Sequence, residues 1–380
     1  MSLVLYRKYR PQTFSEVIGQ IHVIRTLTSA INSGKISHAY LFAGPRGTGK
    51  TTTARLLAKA INCETKGSYE PCNKCLSCIE FSEGRALDLI EIDAASRTGV
   101  DDVRELLDVA RTSPSKSKYK VFIIDEVHML SKSAFNALLK ILEEPPAHAI
   151  FILATTEVHK VLPTVLSRTQ RFDFKKLSLA EILERLKLIL KKEKIKAEKG
   201  ALESIAINAD GSMRDAESML GQVITFAGQD KKITLEEVRE VLGIVDISLV
   251  MKFIDIIIKR NTSQALSFIN KLSDEGRDLI QFTKSLVNYL RKLLFIKVDK
   301  NLSSLIGEDI TKEQLKVVQK QSESFSLEDL SKIIQLFIGA GQEIKFSSLP
   351  QIPLELAAME VIRLDSQASR DKIGKIINRQ

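Results

Sequence analysis

The chain has 380 residues, of which 44% are hydrophobic and 27% are charged, and this composition excludes an intrinsically disordered protein. Its length predicts two or three domains. The net charge of +9 is compatible with a polyanionic partner such as nucleic acid, although a solvated basic surface is the alternative.

The sequence predicts neither a signal peptide nor a membrane span. The N-terminal segment MSLVLYRKYRPQTF lacks an apolar region with a cleavage site, and no apolar run elsewhere is long enough to cross a bilayer. We therefore expect a cytoplasmic protein with no membrane association.

Short apolar segments alternate with helical patterns in residues 1–177. The predicted strands are HAYLFAGP, DLIEIDAAS, KYKVFIID, AIFILATT and QRFDFKKL. The segments between them, such as KTTTARLLAKAIN and DDVRELLDVAR, have apolar residues at helical spacing. Strands that alternate with helices indicate an α/β domain whose parallel sheet is covered on both faces.

The pattern is entirely helical after this region. Residues 178–243 predict a compact helical bundle, and residues 244–366 predict a second all-α domain with longer amphipathic helices such as LIQFTKSLVNYLRKLLFIKV. The polar, basic segment 367–380 is expected to be a flexible tail.

The segment GPRGTGKT, from Gly44 to Thr51, fits the phosphate-loop pattern G-x-x-x-x-G-K-[ST]. It follows a predicted strand and opens a predicted helix, where backbone N–H groups and the helix dipole bind phosphate. Lys50 is predicted to neutralise the β- and γ-phosphates of ATP, and the Thr51 hydroxyl to bind Mg²⁺. The predicted nucleotide-binding residues here are Gly44, Pro45, Arg46, Gly47, Thr48, Gly49, Lys50, Thr51 and Thr52.

The strand VFIIDE ends in an acidic pair, Asp125 and Glu126. Such a pair alone is typical of a helix cap or a solvated turn. Because the pair joins a phosphate loop, it indicates ATP hydrolysis at the carboxyl edge of the sheet. Asp125 is predicted to hold Mg²⁺ through its water shell, and Glu126 to act as the general base on the attacking water.

Three further polar residues fit an oligomeric ATPase. Thr156 ends the next strand, beside the acidic pair, and is predicted to bond the γ-phosphate or the lytic water. Arg168, in LSRT, is predicted to lie away from its own phosphate loop and to reach a neighbouring subunit's nucleotide. Arg214, in GSMRDA, begins a helix of the bundle and is predicted to contact the γ-phosphate.

All the cysteines of the chain lie in one short segment, as Cys63, Cys72, Cys75 and Cys78. The C-x2-C spacing brings thiolates onto one tetrahedral ion. A cytoplasmic location disfavours disulfides, a redox pair needs only two cysteines, and an iron–sulfur cluster remains an alternative. We predict a structural Zn²⁺, since four protein ligands close its coordination shell.

Together, these motifs resemble the DNA polymerase III gamma/tau family, the AAA+ ATPases of the bacterial sliding-clamp loader. The resemblance rests on YRKYRPQTFSEVIGQ, HAYLFAGPRGTGKTTTARLLAKAINC, the four-cysteine insertion, LIEIDAASRTGVDDVREL, IIDEVHMLSKSAFNALLKILEEPP, FILATTE, LSRTQRFDF and GSMRDAES. It implies an AAA+ core over 1–177 with a zinc module at 63–78, a helical lid over 178–243, and a collar over 244–366 that joins subunits into a ring.

The resemblance also implies roles for individual residues. Val17 and Ile18 would pack on adenine, Arg168 would act in trans as an arginine finger, and Arg214 would be the sensor of the lid. Thr169 departs from the family pattern, in which S-R-C is usual, but threonine keeps the size and polarity of the position.

The implied function is to open the sliding clamp with ATP and load it onto primer–template DNA. The implied ligands are ATP, Mg²⁺ and a structural Zn²⁺. The implied partners are the delta and delta-prime subunits, further copies of the chain, the clamp and DNA, the last without sequence specificity. Polymerase and helicase would bind only a C-terminal extension absent from these residues. The protein would be nucleoid-associated and grouped with DNA-directed DNA polymerases (EC 2.7.7.7), although no polymerase chemistry is expected of this chain.

The DNA contact and the function each have alternatives. Arg97 and Thr98 precede a helix whose N-terminal amides could bind a DNA phosphate, whereas Asp101 and Asp102 could simply cap that helix. A branch-migration motor would require a winged-helix domain after the lid. A non-hydrolysing scaffold that binds ATP or zinc is disfavoured, because Lys50 and the other predicted catalytic residues are intact.

Overall fold

The computed structural model describes residues 4–65, 67–96, 98–228, 232–243, 246–299 and 312–363. They belong to two compact units, Met1–Glu237 and Val238–Gln380. Arg97 and the predicted tail lie outside the described residues. Within the described ranges, no helix combines the length and the apolar character needed to cross a bilayer.

The first unit contains a five-stranded parallel sheet, as predicted. Its strands are β1 (Ala39–Ala43), β2 (Leu89–Asp93), β3 (Lys120–Asp125), β4 (Ala149–Thr155) and β5 (Gln170–Asp173). They lie side by side in the order β2-β3-β4-β1-β5. Because all the strands are parallel, the segments that follow β1, β3 and β4 emerge at the same edge, where ligands of such sheets bind.

Helices cover both faces of this sheet. The helices of this part of the chain are α1 (Leu5–Lys8), α2 (Ile21–Ser33), α3 (Lys50–Ile61), α4 (Leu76–Glu83), α5 (Val100–Arg111), α6 (Lys132–Glu143) and α7 (Pro163–Leu166). Alternate residues of β1 face opposite cores: Tyr40 and Phe42 pack with α2 and α3, whereas Leu41 packs with α5 and α6. The predicted α/β domain, with a parallel sheet covered on both faces, is therefore confirmed.

The predicted lid is helical and packs on the phosphate loop. It contains α8 (Leu179–Glu193), α9 (Lys199–Asn208) and α10 (Met213–Ala227). Ser178 and Glu181 form a capping box at the start of α8. The backbone N–H of Met213 donates to the carbonyl oxygen of Gly47 at 3.0 Å, so the first turn of α10 touches the loop.

The second unit is helical throughout its described part. Helix α11 (Leu235–Leu242) spans the boundary between the units, and it is followed by α12 (Ile247–Ile258), α13 (Thr262–Asp274), α14 (Leu279–Val298), α15 (Lys312–Glu323) and α16 (Leu327–Glu343). Residues 351–363 are also helical. The buried ring of Phe253 packs edge-on against the buried rings of Phe282 and Phe337 in the core of this unit. The predicted all-α domain is confirmed.

Candidate functional site

The phosphate loop borders a cavity of about 690 Å³ in the first unit. Arg46 to Thr52 line this cavity, whereas Gly44 and Pro45, at the start of the loop, are not among its described lining residues. The Lys50 ammonium donates to the carbonyl oxygens of Gly44 at 2.8 Å and Pro45 at 2.9 Å. Burial lowers the pKa of Lys50, an effect that the nearby carboxylates oppose. The Lys50 ammonium is thus poorly hydrated and, among the described residues, is bonded only to neutral carbonyl oxygens. A bound polyphosphate would replace these oxygens with charged ones, which form stronger hydrogen bonds to the ammonium.

Gly47 sits where the loop meets the lid. Its φ of +74° lies in the left-handed region, and a β-carbon there would collide with the hydroxyl of Ser212. The loop and the N-terminus of α10 can approach this closely only because residue 47 has no side chain.

We expect Gly47→Ala to loosen the lid. The left-handed conformation alone costs a β-carbon about 1 kcal/mol, and the clash with Ser212 adds to that cost. Gly34→Ala is the matched control, because Gly34 has a left-handed φ of +68° but open space around it. Thermal unfolding should show the larger loss of stability for Gly47→Ala, and equal losses would contradict the close lid contact.

The acidic pair stands at the carboxyl end of β3, beside the loop. The Thr51 hydroxyl donates to a carboxylate oxygen of Asp125 at 2.7 Å. Asp125 and Glu126 both line the cavity. Glu126 has a left-handed φ of +48°, which turns the chain sharply after the strand. Both predicted Mg²⁺ ligands, Thr51 and Asp125, thus already touch each other.

Thr156 holds the side chain of Glu126. One carboxylate oxygen of Glu126 accepts hydrogen bonds from the Thr156 hydroxyl at 2.9 Å and from its backbone N–H at 3.1 Å. His128, which is almost fully buried, lies 3.4 Å from the same oxygen. Thr156 is not one of the described residues that line the cavity. It acts on the site by holding the carboxylate of Glu126.

The lid and the N-terminal segment close the other sides of the cavity. Arg214 lines it, with its guanidinium 5.0 Å from the centre of the Tyr6 ring. Hydrogen bonding to Arg214, and secondarily to Arg7, lowers the pKa of Tyr6. Val17 and Ile18 also line the cavity, so the predicted phosphate and adenine contacts share one space.

Arg168 lies at a different surface. Its guanidinium donates to Glu143 at 2.8 Å and to the carbonyl oxygen of Thr164 at 2.8 Å. Arg168 lines a surface depression with Ser37 and Glu143. It is not among the residues of the described ranges that line the cavity at the phosphate loop. Its side chain is 33% exposed. No described contact joins Arg168 to its own nucleotide cavity.

The four cysteines converge. One ligand atom from each of Cys63, Cys72, Cys75 and Cys78 lies within 4.8 Å of the others, and the sulfurs of Cys72 and Cys78 are 3.9 Å apart. A tetrahedral ion with Zn–S distances of about 2.3 Å separates its sulfurs by roughly 3.8 Å. The donor set therefore fits Zn²⁺, although iron–sulfur clusters use the same ligands.

Backbone amides surround these sulfurs. The N–H groups of Cys75 and Cys78 point to the sulfurs of Cys72 and Cys75, at 3.3 and 3.4 Å. A hydrogen bond from Thr65, with backbone N–H groups of Lys74 and Cys75, lowers the pKa of Cys72 to about 5. Burial raises the pKa of Cys78. A bound cation would favour the thiolate form of both residues.

Known protein families match the chain in three consecutive parts. The models described as "DNA polymerase III, delta subunit", "DNA polymerase III clamp loader subunit, ATPase lid domain" and "DNA polymerase III subunits gamma and tau domain III" match residues 19–178, 181–229 and 233–377. The chain is 38% identical to the DNA polymerase III subunit gamma of Buchnera aphidicola subsp. Acyrthosiphon pisum, over 94% of this chain and 98% of that protein. The chain belongs to the DNA polymerase III gamma/tau family.

Relatives of the tau type are longer. The chain is 43% identical to the Bacillus subtilis subunit tau over 97% of its own length but only 64% of that protein. For the Escherichia coli subunit tau, the values are 39% identity, 94% of this chain and 55% of that protein. The chain thus spans less than two thirds of these tau relatives.

Two solved structures are distantly similar. The Thermotoga maritima RuvB branch-migration motor is 23% identical, with a TM-score of 0.48 over 66% of this chain and 79% of that chain. The Bacillus subtilis clamp loader delta protein is 17% identical, with a TM-score of 0.37 over 89% of this chain and 99% of that chain. Neither similarity is close enough to bear on function.

Thr169 stands where the family usually has the cysteine of S-R-C, and its hydroxyl finds hydrogen-bond partners nearby in the chain. The Thr169 hydroxyl donates to the carbonyl oxygens of Val165 at 3.1 Å and Leu166 at 3.3 Å. These bonds satisfy the hydroxyl within its own turn of chain. The departure at Thr169 therefore leaves the hydrogen bonds of Arg168 in place.

Several cavity residues were missed by sequence reasoning. Tyr6, Arg7 and Arg10 line the cavity, as does the almost fully buried ion pair of Arg185 and Glu217, whose charged atoms are 3.0 Å apart. The basic and aromatic run YRKYRP was the available signal for the first three. The ion pair had no local signal, because its partners stand on different helices of the lid.

Proposed function

We propose that the chain is an ATPase subunit of the bacterial clamp loader, which opens a sliding clamp and loads it onto primer–template DNA. One observation carries the proposal. The phosphate loop, the acidic pair and the lid's Arg214 share one cavity, while Arg168 stands at another surface. We infer that Arg168 of a neighbouring subunit completes this site, in the way that an arginine finger acts in trans.

Each residue around the cavity has a distinct role in hydrolysis. Lys50 and the loop amides bind the phosphates, and Thr51 and Asp125 would hold Mg²⁺, which neutralises phosphate charge. Glu126 accepts the proton of the attacking water, and Thr156 fixes its carboxylate in position. Arg168 of one subunit stabilises the charge that develops at the site of the next.

The lid couples the nucleotide to assembly. Arg214 would contact the γ-phosphate, and α10 touches the loop through Met213 and Gly47. A nucleotide that binds one arrangement of the ring more tightly shifts the population toward it. ATP would thus favour the assembly that opens the clamp, and hydrolysis would release the closed clamp on DNA.

The predicted domains and partners complete the proposal. Residues 1–177, 178–243 and 244–366 would serve as ATPase core, lid and oligomerising collar. The chain would join further copies of itself with delta and delta-prime subunits in the cytoplasm, near the nucleoid. A classification of the chain with the DNA-directed DNA polymerases would describe the whole DNA polymerase III complex, because the chain's own proposed reaction is ATP hydrolysis.

Contact with DNA is proposed for the start of α5. Thr98 is exposed there, and its carbonyl oxygen accepts a hydrogen bond from the Ser131 N–H. Asp101 and Asp102 occupy the first turn of the same helix and would oppose a phosphate. The contact at Arg97 and Thr98 therefore stays a prediction.

The cysteine cluster is proposed to hold one structural Zn²⁺. We expect metal analysis of the purified chain to find about one zinc per chain, since four thiolates close the coordination shell of a single ion. Cys75→Ser should lower the zinc content, whereas Ser77→Ala, which keeps all the sulfurs, should not. Iron absorbance, or four reactive thiols without metal, would overturn the assignment.

Two rival functions make different predictions. A branch-migration motor would need a winged-helix domain, whose strands do not occur among the described residues of the second unit. A scaffold would not hydrolyse ATP.

We expect gel filtration to show the chain eluting with a sliding clamp when delta, delta-prime and ATP are present, but not without ATP. No clamp complex under any of these conditions would contradict the proposal.

A further inference from the structure

Glu70 connects the zinc module to the N-terminal segment. Its carboxylate accepts hydrogen bonds from the backbone N–H groups of Phe14 at 2.7 Å and Ser15 at 2.9 Å. These amides open the short 3₁₀ helix Phe14–Glu16, and the residue before them, Thr13, supplies no side-chain cap. The unpaired amides at the start of this helix are thus satisfied by a side chain that is distant in sequence.

This short helix leads directly into the nucleotide cavity. Val17 and Ile18 follow it and line the cavity, and the Val17 N–H closes the helix by donating to Phe14 at 3.1 Å. Phe14 is buried in the same core as Phe81 of α4. The position of Val17 and Ile18 therefore depends on how the helix is anchored.

A second connection lies beside the first. The Lys59 ammonium, on the phosphate-loop helix α3, donates to the Gln12 side chain at 3.0 Å and to Ser82 of α4 at 2.7 Å. Lys59 is only 3% exposed. The Gln12 N–H in turn donates to the Glu16 carboxylate at 2.7 Å. The helix α4, the loop helix and the N-terminal segment thus meet at one buried lysine.

The segment that presents Glu70 is held to the rest of the module by a few polar contacts, among them the hydrogen bond from the Ser77 N–H to Glu64 at 3.3 Å. The described residues between Cys63 and Glu70 are exposed, and none belongs to a helix or strand. The segment is closed where the Cys72 N–H points to the Cys63 sulfur at 3.4 Å. A metal bound by Cys63 and Cys72 would fix both ends of this loop, and with them the position of Glu70.

We propose that the zinc module positions the adenine-contacting residues through Glu70, so that affinity for adenine nucleotides depends on the module and its metal. Glu70 is in this sense a positioning residue. The inference rests on the proposed ATP site, and it gives the zinc module a role in forming that site.

Glu70→Gln tests the proposal, because glutamine keeps the size of the side chain but leaves one acceptor oxygen. Calorimetry on the full chain with Mg²⁺ should show the Kd for ATP rising about tenfold, the effect of one charge-assisted hydrogen bond. The Kd for inorganic tripolyphosphate should not change, because this ligand has no base and would contact only the residues that bind phosphate and Mg²⁺.

Glu64→Gln is the matched control. Glu64 stands in the same module and accepts a hydrogen bond from the Ser77 N–H at 3.3 Å, within the module. We expect its affinities for ATP and tripolyphosphate to equal those of the unaltered chain. A loss of ATP affinity in this variant would show that any disturbance of the module acts on the site, and would contradict a specific role for Glu70.

Metal removal provides the second measurement. A zinc-selective chelator, with Mg²⁺ in excess, should weaken ATP binding by the unaltered chain to the level of Glu70→Gln. It should add little to the loss in that variant, because both changes remove the same connection. Tripolyphosphate binding should again be unchanged.

The outcomes separate this inference from the proposed function. If the unaltered chain binds ATP and Glu70→Gln binds it equally well, the inference is wrong while the proposed function stands. If tripolyphosphate affinity falls together with ATP affinity, Glu70 supports the fold in general and the inference is also wrong. An unaltered chain that binds no ATP would contradict the proposed function itself.

Discussion

Replacing Arg168 with alanine should abolish the stimulated hydrolysis of ATP while leaving ATP binding by the same chain nearly intact. Arg168 lies outside its own nucleotide cavity and is held by Glu143 and Thr164. Arginines supplied to a phosphoryl-transfer site in trans accelerate the reaction by ~10³–10⁵. Steady-state ATPase assays in the presence of partners, together with ATP titration of the isolated variant, would measure both effects.

Arg171→Ala is the control for this experiment. Arg171 is a nearby arginine on β5 whose guanidinium pairs with Asp173 at 2.7 Å, and its loss should leave hydrolysis unchanged. A fall in ATP affinity in Arg168→Ala would indicate that the arginine serves its own site, and would contradict the proposed role.

Mixing variants tests the action in trans directly. Chains with Arg168→Ala keep an intact phosphate loop, and chains with Lys50→Ala keep an intact arginine. In a mixed ring, an Arg168→Ala chain can receive Arg168 from a neighbouring Lys50→Ala chain. At such interfaces the hydrolysis of ATP should recover in part. No recovery in mixtures that still assemble would contradict a finger supplied by the neighbouring subunit.

Replacing Glu126 with glutamine should lower hydrolysis by about 10²–10⁴, the usual contribution of a general base, while ATP binding is retained. Glutamine keeps the hydrogen bond from Thr156 but cannot accept the proton of water at neutral pH. Because ATP would remain unhydrolysed, this variant should also hold the clamp in a long-lived ATP complex. Single-turnover hydrolysis and clamp release would be measured together.

Glu157→Gln supplies the comparison. Glu157 is another carboxylate near His128 and forms an ion pair with Lys160 at 2.8 Å, but it does not line the described cavity. We expect near-normal hydrolysis for this variant. Equal defects in the two variants would mean that Glu126 acts through local charge, and would rule out its role as the base.

The sheet and the phosphate loop could be predicted because their signals are local. Each strand is a short apolar run, and GPRGTGKT carries its chemistry in consecutive residues. The same holds for the cysteines, whose C-x2-C spacing predicts that their sulfurs lie close together. The clustering of their sulfurs within 4.8 Å agrees with that spacing.

The contacts that assemble the site could not be predicted in this way. The hydrogen bond between Met213 and Gly47 and the capping of Phe14 by Glu70 join residues that are far apart in sequence. The pairing of Arg168 with Glu143 depends on how α6 and the turn after α7 pack together. Periodicity describes which face of an element is buried, but it does not specify which distant polar groups meet.

ATPase activity measured with and without the partners tests the central claim most directly. Turnover by the isolated chain should be slow. It should rise strongly only when delta, delta-prime, sliding clamp and primed DNA are all present, because in the proposed function neighbours and DNA complete the site around Glu126. Hydrolysis that the full set of partners fails to stimulate would contradict the clamp-loader function.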